Sequence, residues 1–222
     1  MRNKSLLLNI VLLAVIVVLG IQLGKSTSQN SDPNGMQGPN RFTKAHGVKT
    51  NPTLTTIFNR KSVRHYTTEE VSNEQLILLA KAGMAAPTAV DKRPWAFVSV
   101  TDRKVLDRLA EVLPYARMLK KASAAIVVCG DLNKALEGSA QILWVQDCSA
   151  ASENVLLAAE SIGLGAVWTG VYPDDDKVAA VREILGIPDR IVPLNVIAIG
   201  YPTGEEKPKD KWDASNLHWE KW

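Results

Sequence analysis

Residues 60–66 read Arg60-Lys61-Ser62-Val63-Arg64-His65-Tyr66, a short basic segment with two arginines around a serine. If its backbone is extended, Arg60, Ser62 and Arg64 share one face, because the side chains of a strand alternate between two faces. Two guanidinium groups and a hydroxyl on one face suit a phosphate and a second electron-rich group, since arginine presents forked donors. The segment predicts an anion site, although taken alone such a segment is more typical of a solvated basic loop.

The sequence around this segment predicts a mixture of helices and strands. Ser72 and Gln75 form a capping-box signature that begins a helix reaching Gly83. The continuous apolar run from Ala124 to Cys129 predicts a buried strand. Further strands are predicted at residues 95–100, 166–171 and 191–201, and further helices at residues 102–113, 139–162 and 174–185. The unequal spacing of these elements argues against a regular βαβ winding and against a repeat array.

Composition and charge restrict the class of protein. The chain has 222 residues, of which 46% are hydrophobic and 22% charged, as in an ordinary globular domain. Its formal net charge of +3 is too small for a nucleic-acid-binding surface, so no nucleic acid is expected as a partner. Cys129 and Cys148 lie in apolar or helical contexts without CxxC spacing, and both are expected in the core.

Several motifs that carry chemistry are missing from the sequence. No GxGxxG or GxxxxGK[ST] stands between a predicted strand and a helix, which argues against a Rossmann dinucleotide site and a P-loop. His46, His65 and His218 are scattered singly, so no metal site is expected. GxSxG is absent as well, and we expect no catalytic side-chain nucleophile. Any chemistry is therefore expected to come from a bound cofactor.

Three further segments lie downstream of residues 60–66. They are Ala85 to Trp95 (AAPTAVDKRPW), Gly163 to Gly170 (GLGAVWTG), and Ile199 to Pro202 (IGYP) followed by Lys207 to Lys211 (KPKDK). Together and in this order, the four segments resemble the nitroreductase family of FMN-dependent flavoproteins. The resemblance covers nearly all of residues 53–222. It implies an α+β fold with a central, mostly antiparallel sheet surrounded by helices, and a homodimer in which the C-terminal tail is exchanged.

The resemblance also implies which residues bind FMN. Arg60 and Ser62 match the positions that hold the FMN phosphate, Lys61 lies in the same cluster, and Arg64 matches the basic residue near the pyrimidine edge of the flavin. The other implied residues are Pro87, Thr88 and Ala89, in a loop that packs on the isoalloxazine from the other subunit; Trp168, Thr169 and Gly170, in a turn whose backbone approaches the reactive ring nitrogen; and Lys209 and Lys211, which complete the phosphate site.

The activity that the resemblance implies is an FMN-dependent oxidoreductase. It would take electrons from NAD(P)H and reduce a nitroaromatic, a quinone or a similar small molecule by a ping-pong mechanism. The alternatives are a specialised reductase of the same fold, such as a dehalogenase-like enzyme, and a membrane-tethered flavin-binding module that relays electrons to a partner. Asp91 departs from the small polar residues that family members often carry there. Its negative charge near the expected substrate mouth is expected to disfavour anionic acceptors.

The N-terminal run of residues 6–23 (LLLNIVLLAVIVVLGIQL) is apolar throughout. As a helix it would be about 27 Å long, close to the hydrocarbon thickness of a bilayer. Arg2 and Lys4 precede it, so the positive-inside bias predicts an N-terminus in the cytoplasm and a domain outside it. We predict a signal-anchor at residues 1–24, with a cleaved signal peptide as the alternative, a flexible linker at residues 25–52 and the FMN-binding domain at residues 53–222. The domain would be membrane-anchored outside the cytoplasm, or exported, in a bacterial-type envelope.

The end of the chain is rich in tryptophan. Trp212, Trp219 and Trp222 lie in a stretch with no other strong core signal. Three indoles left in water would be unfavourable, so this stretch is expected to dock either on the same domain or on a second copy of it.

Overall fold

The computed structural model describes residues 51–222, and an antiparallel sheet lies at the centre of this part. Its strands are β1 (Trp95–Val100), β2 (Ala124–Asp131), β3 (Gly165–Gly170) and β4 (Ile191–Gly200). The helices of the same residues are α1 (Pro52–Asn59), α2 (Asn73–Met84), α3 (Arg103–Val112), α4 (Trp144–Ser161) and α5 (Asp175–Leu185). Short 3-10 helices occupy Ala89–Asp91, Arg117–Lys120, Gly138–Leu143 and Ala214–Asn216.

The strand order is β1-β2-β4-β3, and each neighbouring pair is antiparallel. Every residue of β2 and of β4 is buried, which explains why both strands read as apolar runs rather than as alternating patterns. Helix α4 lies against all four strands, α2 packs on α4, and α5 packs on β4 and on α3. The arrangement confirms the predicted α+β fold with an antiparallel sheet.

Local signals in the sequence set the helix starts. Ser72 Oγ accepts the Gln75 N–H at 3.2 Å, and Gln75 Oε1 accepts the Ser72 N–H at 2.9 Å, which confirms the predicted capping box at the start of α2. Asp102 and Asp174 cap α3 and α5: the Asp102 carboxylate accepts two backbone N–H groups of the first turn, and the Asp174 carboxylate accepts one. These contacts are local in the chain, and the sequence therefore predicts them well.

Two helices differ from the sequence-based prediction. The helix expected over residues 139–162 begins only at Trp144, because Gly138–Leu143 is a 3-10 helix. Helix α1 has no predicted counterpart, although Asn51 caps it by accepting the Leu54 N–H at 2.9 Å and Pro52 occupies its first turn. None of its side chains is buried, and it spans only 8 residues, a shorter stretch than the roughly 11–18 residues over which a helical pattern can be recognised.

Both cysteines lie in the core, as predicted. The Cys148 thiol of α4 donates a hydrogen bond to the Cys129 carbonyl of β2 at 3.3 Å. Burial raises the pKa of the Cys129 thiol to about 12 and also raises the pKa of the Cys148 thiol. Both thiols therefore stay protonated and unreactive at neutral pH.

The predicted signal-anchor at residues 1–24 lies outside the described residues, as does the predicted linker up to residue 50. Among residues 51–222, no helix combines the length and the apolar composition that crossing a membrane requires. Helix α1 begins at Pro52, where the predicted linker meets the predicted domain.

Candidate functional site

The basic segment, residues 60–66, runs beside the outer edge of strand β3. Ser62 forms a parallel bridge with Ala166, and the Val63 N–H donates to the Ala166 carbonyl at 3.0 Å. Val63 is fully buried, whereas Ser62 and Arg64 are exposed. The predicted alternation therefore holds from Ser62 to Arg64, and it puts the serine hydroxyl and an arginine on the solvent side.

Two cations of the basic segment form ion pairs with helix α4. Arg60 Nε lies 2.9 Å from Glu153 Oε1, and Lys61 Nζ lies 3.0 and 3.1 Å from the two carboxylate oxygens of Glu160. The side chains of Lys61 and Glu160 are only 22% and 17% exposed. Lys61 thus ties the segment to α4. Arg60 uses only Nε in this contact, which leaves its two terminal nitrogens for a ligand.

The outer edge of β3 forms no further bridge beyond Ala166 in the described part of the chain. In a strand, the N–H and C=O of one residue point to the same edge, and successive residues alternate between edges. Since the Ala166 carbonyl faces the basic segment, the N–H groups of Trp168 and Gly170 face the same outer edge. Gly170 is exposed, and a Cβ added to it would meet no atom within 4 Å. A flat ligand can therefore approach the backbone at this place.

A buried amide lies behind this open edge. Asn195 of β4 is paired with Gly170 and is fully buried. Its Nδ2 donates to Ser152 Oγ of α4 at 2.7 Å, whereas its Oδ1 has no hydrogen-bond partner in residues 51–222. An unpaired buried acceptor is costly, and such atoms need an explanation. This contact was not predictable from the sequence, because one asparagine in an otherwise apolar strand reveals nothing about its partner.

Helix α4 also holds the loop between α2 and β1 in a strained conformation. The Ala89 N–H donates to Asp147 Oδ1 at 2.8 Å, and the Arg93 N–H donates to Thr88 Oγ1 at 3.1 Å. Between these contacts, Val90 has a φ of 47°, which a β-branched residue rarely adopts. Strain of this kind persists where the surrounding contacts enforce it, and it clusters at functional sites. Asp147 is therefore a structural anchor for the loop that carries Thr88 and Ala89.

Asp91 in the same loop is neutralised by its neighbour. Arg93 Nε and Nη2 donate to the two carboxylate oxygens of Asp91 at 2.7 and 2.5 Å. The hydrogen bond from Arg93 holds the pKa of Asp91 below its usual value, so the pair stays ionised and carries no net charge. Arg93 therefore offsets the negative charge of Asp91 in this structure, and the expected effect of Asp91 on anionic acceptors stays a prediction. Both residues have positive φ, 56° and 50°, and this unusual backbone is what brings the two side chains together.

The C-terminal tail, defined as residues 207–222, does not dock on the described part of its own chain. All its residues are exposed, including Lys209 and Lys211, and its hydrogen bonds within residues 51–222 stay inside the tail. Trp212 is 68% exposed, Trp219 is 78% exposed and Trp222 is fully exposed. Of the two docking sites expected for the indoles, the described part of the same domain is thus ruled out, and a second copy stays a prediction.

Arg64 lines an open groove of about 780 Å³ that lies apart from Gly170. The groove is bordered by Thr101, which follows β1, and by Ser123, which precedes β2. These residues adjoin one end of the sheet, whereas Gly170 and the start of β1 lie at the other end. Neither Gly170 nor the loop before β1 lines the groove. Of the two arginines in the basic segment, Arg64 lines this groove and Arg60 does not.

The fold and the site together define a class of protein. A helix-covered antiparallel sheet with an open strand edge, bordered by a serine and arginines, suits a flat ligand that carries an anionic group. The nitroreductase family model matches residues 57–114 and 112–201 of this chain. With most of the domain matched, the chain belongs to the nitroreductase family.

Individual relatives agree with this assignment. A protein of Methanothermobacter thermautotrophicus, named "Putative NADH dehydrogenase/NAD(P)H nitroreductase", is 45% identical over 170 residues, which are 76% of this chain and 87% of the relative. A solved structure of the same description from Parabacteroides distasonis has a TM-score of 0.74 and 55% identity, and covers 78% of this chain and 100% of that one. The NADPH:FMN oxidoreductase of Vibrio harveyi in complex with NAD+ has a TM-score of 0.70 and 27% identity, and covers 78% of this chain and 77% of that one.

Proposed function

We propose that this chain, a member of the nitroreductase family, is an FMN-dependent NAD(P)H oxidoreductase that reduces nitroaromatic, quinone or similar acceptors in a ping-pong reaction. The observation that carries the proposal is the open outer edge of β3, where the exposed Gly170 ends the strand that the basic segment borders. The Vibrio harveyi relative is named for FMN and NADPH, which supports the same cofactor and donor here.

The residues at this edge fit FMN. The Ser62 hydroxyl and the terminal nitrogens of Arg60 can hold one phosphate, and the Gly170 backbone admits a flat ring. FMN held here would supply the two-electron redox chemistry between NAD(P)H and the acceptor. In this proposal the chain holds the phosphate and presents backbone N–H groups to the ring, and the family resemblance assigns Arg64, which lies apart from Gly170, to the pyrimidine edge. A fixed cation there stabilises negative charge that develops on the ring.

FMN is expected to co-purify with the protein and to give it a yellow colour. The released flavin is expected to be FMN rather than FAD, because the basic segment suits one terminal phosphate. Replacing Arg60 with Ala is expected to weaken FMN binding by about tenfold to a hundredfold, since a charge-assisted hydrogen bond contributes roughly 1.5–3 kcal/mol. Titration of the apoprotein with FMN measures the loss.

Arg108 offers a matched control for this substitution. It is exposed on α3, and Arg108→Ala removes the same charge without touching the basic segment. We expect FMN affinity close to that of the parent protein. Equal affinities in the Arg60 and Arg108 variants would exclude Arg60 from the site, and a colourless protein that FMN cannot reconstitute would exclude the proposed cofactor.

A ping-pong mechanism is expected because the donor and the acceptor would use the same place beside the ring in turn. Initial rates at several fixed acceptor concentrations are then expected to give parallel double-reciprocal lines. Replacing Arg64 with Gln is expected to lower the flavin potential by about 20 mV, or roughly 1 kcal/mol for a two-electron couple, and to slow reduction by NAD(P)H. Intersecting lines would contradict a binding place shared by the donor and the acceptor. An unchanged flavin potential would contradict the role of Arg64.

The proposed location is a membrane, with the domain outside the cytoplasm. Its support is the apolar run of residues 6–23, whose length matches a bilayer. We expect the full-length protein to stay in the membrane fraction during carbonate washing and to need detergent for extraction, because a spanning helix buries far more apolar surface than a peripheral contact. Release by carbonate, or a mature N-terminus near Ser26, would favour the cleaved signal peptide.

A further inference from the structure

Glu206 lies where the chain leaves the domain and enters the C-terminal tail. Its Oε1 accepts the Arg64 N–H at 2.6 Å and the His65 N–H at 3.1 Å, and it lies 3.0 Å from His65 Nδ1. One carboxylate oxygen therefore holds the backbone of the basic segment at two successive residues. Among residues 51–222, no residue after Glu206 forms a hydrogen bond outside the tail.

The residues before Glu206 wrap the basic segment from the other side. Tyr66 forms an antiparallel bridge with Pro202, and the Thr203 N–H donates to the His65 carbonyl at 3.1 Å. The chain then reverses at Gly204, whose φ of 89° is readily adopted only by glycine. This reversal brings the Glu206 side chain back to the backbone of the basic segment.

The Glu206 carboxylate remains charged in this place. Burial acts to raise its pKa, but the hydrogen bonds from the Arg64 and His65 N–H groups outweigh burial and leave the pKa below its usual value. Charge-assisted hydrogen bonds of this kind are stronger than neutral ones. The contact therefore anchors Glu206, the residue directly before the tail, against the basic segment at neutral pH.

We propose that Glu206 is a positioning residue that joins the two halves of the phosphate site, namely the basic segment with Arg60 and Ser62, and the tail with Lys209 and Lys211. The inference rests on the proposed function, because it assumes that FMN is the ligand. Lys209 follows Glu206 by three residues, or at most about 10 Å of extended chain. Fixing Glu206 to the Arg64 backbone thus keeps Lys209 within reach of a phosphate at Ser62.

Two effects of Glu206 on FMN affinity have opposite signs. Its negative charge repels the phosphate, so removing the charge alone would strengthen binding. Its hydrogen bonds position the tail lysines, so weakening them would lower affinity. The sign of the change upon Glu206→Gln therefore separates positioning from simple repulsion.

Glu205 provides the matched control. Its side chain is 62% exposed and contacts the His65 ring at 3.3 Å, without a hydrogen bond to the Arg64 backbone. Glu205→Gln removes the same charge one residue earlier. We expect its FMN affinity to stay within about twofold of the parent, whereas we expect Glu206→Gln to bind FMN about tenfold more weakly, a difference of roughly 1.4 kcal/mol.

The experiment compares FMN with riboflavin, which lacks the phosphate, by titrating full-length apoproteins and following flavin fluorescence. Riboflavin affinity is expected to change by less than about twofold in Glu206→Gln. In a background that carries Lys209→Ala and Lys211→Ala, Glu206→Gln is expected to have no further effect on FMN affinity, because coupled residues are not additive. The thermal midpoint of each apoprotein reports whether the variant is folded.

Three outcomes would overturn the inference. They are unchanged or increased FMN affinity in Glu206→Gln, an equal loss for riboflavin and FMN, and a full loss that persists when the two lysines are absent. A parent protein that binds neither flavin would instead contradict the proposed function, so the two failures are distinguishable.

Discussion

Deleting residues 212–222 is expected to abolish dimerisation and to remove most of the bound flavin. Trp212, Trp219 and Trp222 are exposed in the single chain, and within residues 51–222 the one ring recorded against them is that of His218, itself in the tail. Burying one indole stabilises a complex by roughly 4–6 kcal/mol before the costs of association. If a second copy covers these indoles, deleting them removes the largest apolar contribution of the tail to the dimer. Without the dimer, the flavin also loses the loop that the partner is expected to contribute.

Sedimentation velocity and the ratio of flavin to protein absorbance measure both effects in the same sample. Tyr115→Ala is a suitable control, because Tyr115 is 80% exposed but lies in the domain between α3 and β2. We expect this variant to remain dimeric and yellow. A truncated protein that stays as dimeric and as yellow as its parent would show that the tail has another role.

Two glycines of β3 are expected to respond in opposite ways to the same substitution. Neither glycine has a positive φ, so alanine is compatible with both backbones. At Gly165 the new Cβ would lie 2.6 Å from Val63 Cγ1, and overpacking a buried valine costs about 1–3 kcal/mol. At Gly170 the Cβ would enter open space, and replacing a strand glycine by alanine is neutral or stabilises by up to about 1 kcal/mol.

FMN affinity is expected to fall upon Gly170→Ala, although the stability of the apoprotein is not. A methyl group at this position would stand between the backbone and the ring. The steric cost of about 1–3 kcal/mol would weaken FMN binding by roughly tenfold to a hundredfold. Denaturant unfolding of both apoproteins, together with FMN titration, separates the two effects. A Gly170→Ala variant that binds FMN like its parent would place the ring elsewhere.

The helix starts and strand positions were predictable because their causes are local. The Ser72–Gln75 capping box and the Asp102 cap each involve residues two or three apart, and the apolar run of β2 is buried on both faces. Helix α1 was not predicted, since it spans only 8 residues and buries no side chain, which is too short a pattern to recognise as a helix. The site residues were named through the family resemblance. Only for residues 60–64 did the alternation of side chains along an extended backbone also predict their placement.

The sequence by itself determined the helix caps, the buried strands, the burial of Val63 between exposed neighbours and the family to which four ordered segments point. Only the tertiary structure decided the partners of the charged groups: Glu153 for Arg60, Asp147 for the Ala89 N–H, Arg93 for Asp91 and Glu206 for the backbone of Arg64. A cap or an apolar period is a property of neighbouring residues. An ion pair depends on which distant segments packing brings within hydrogen-bond distance, or, for Asp91 and Arg93, on a strained backbone that the surrounding contacts enforce.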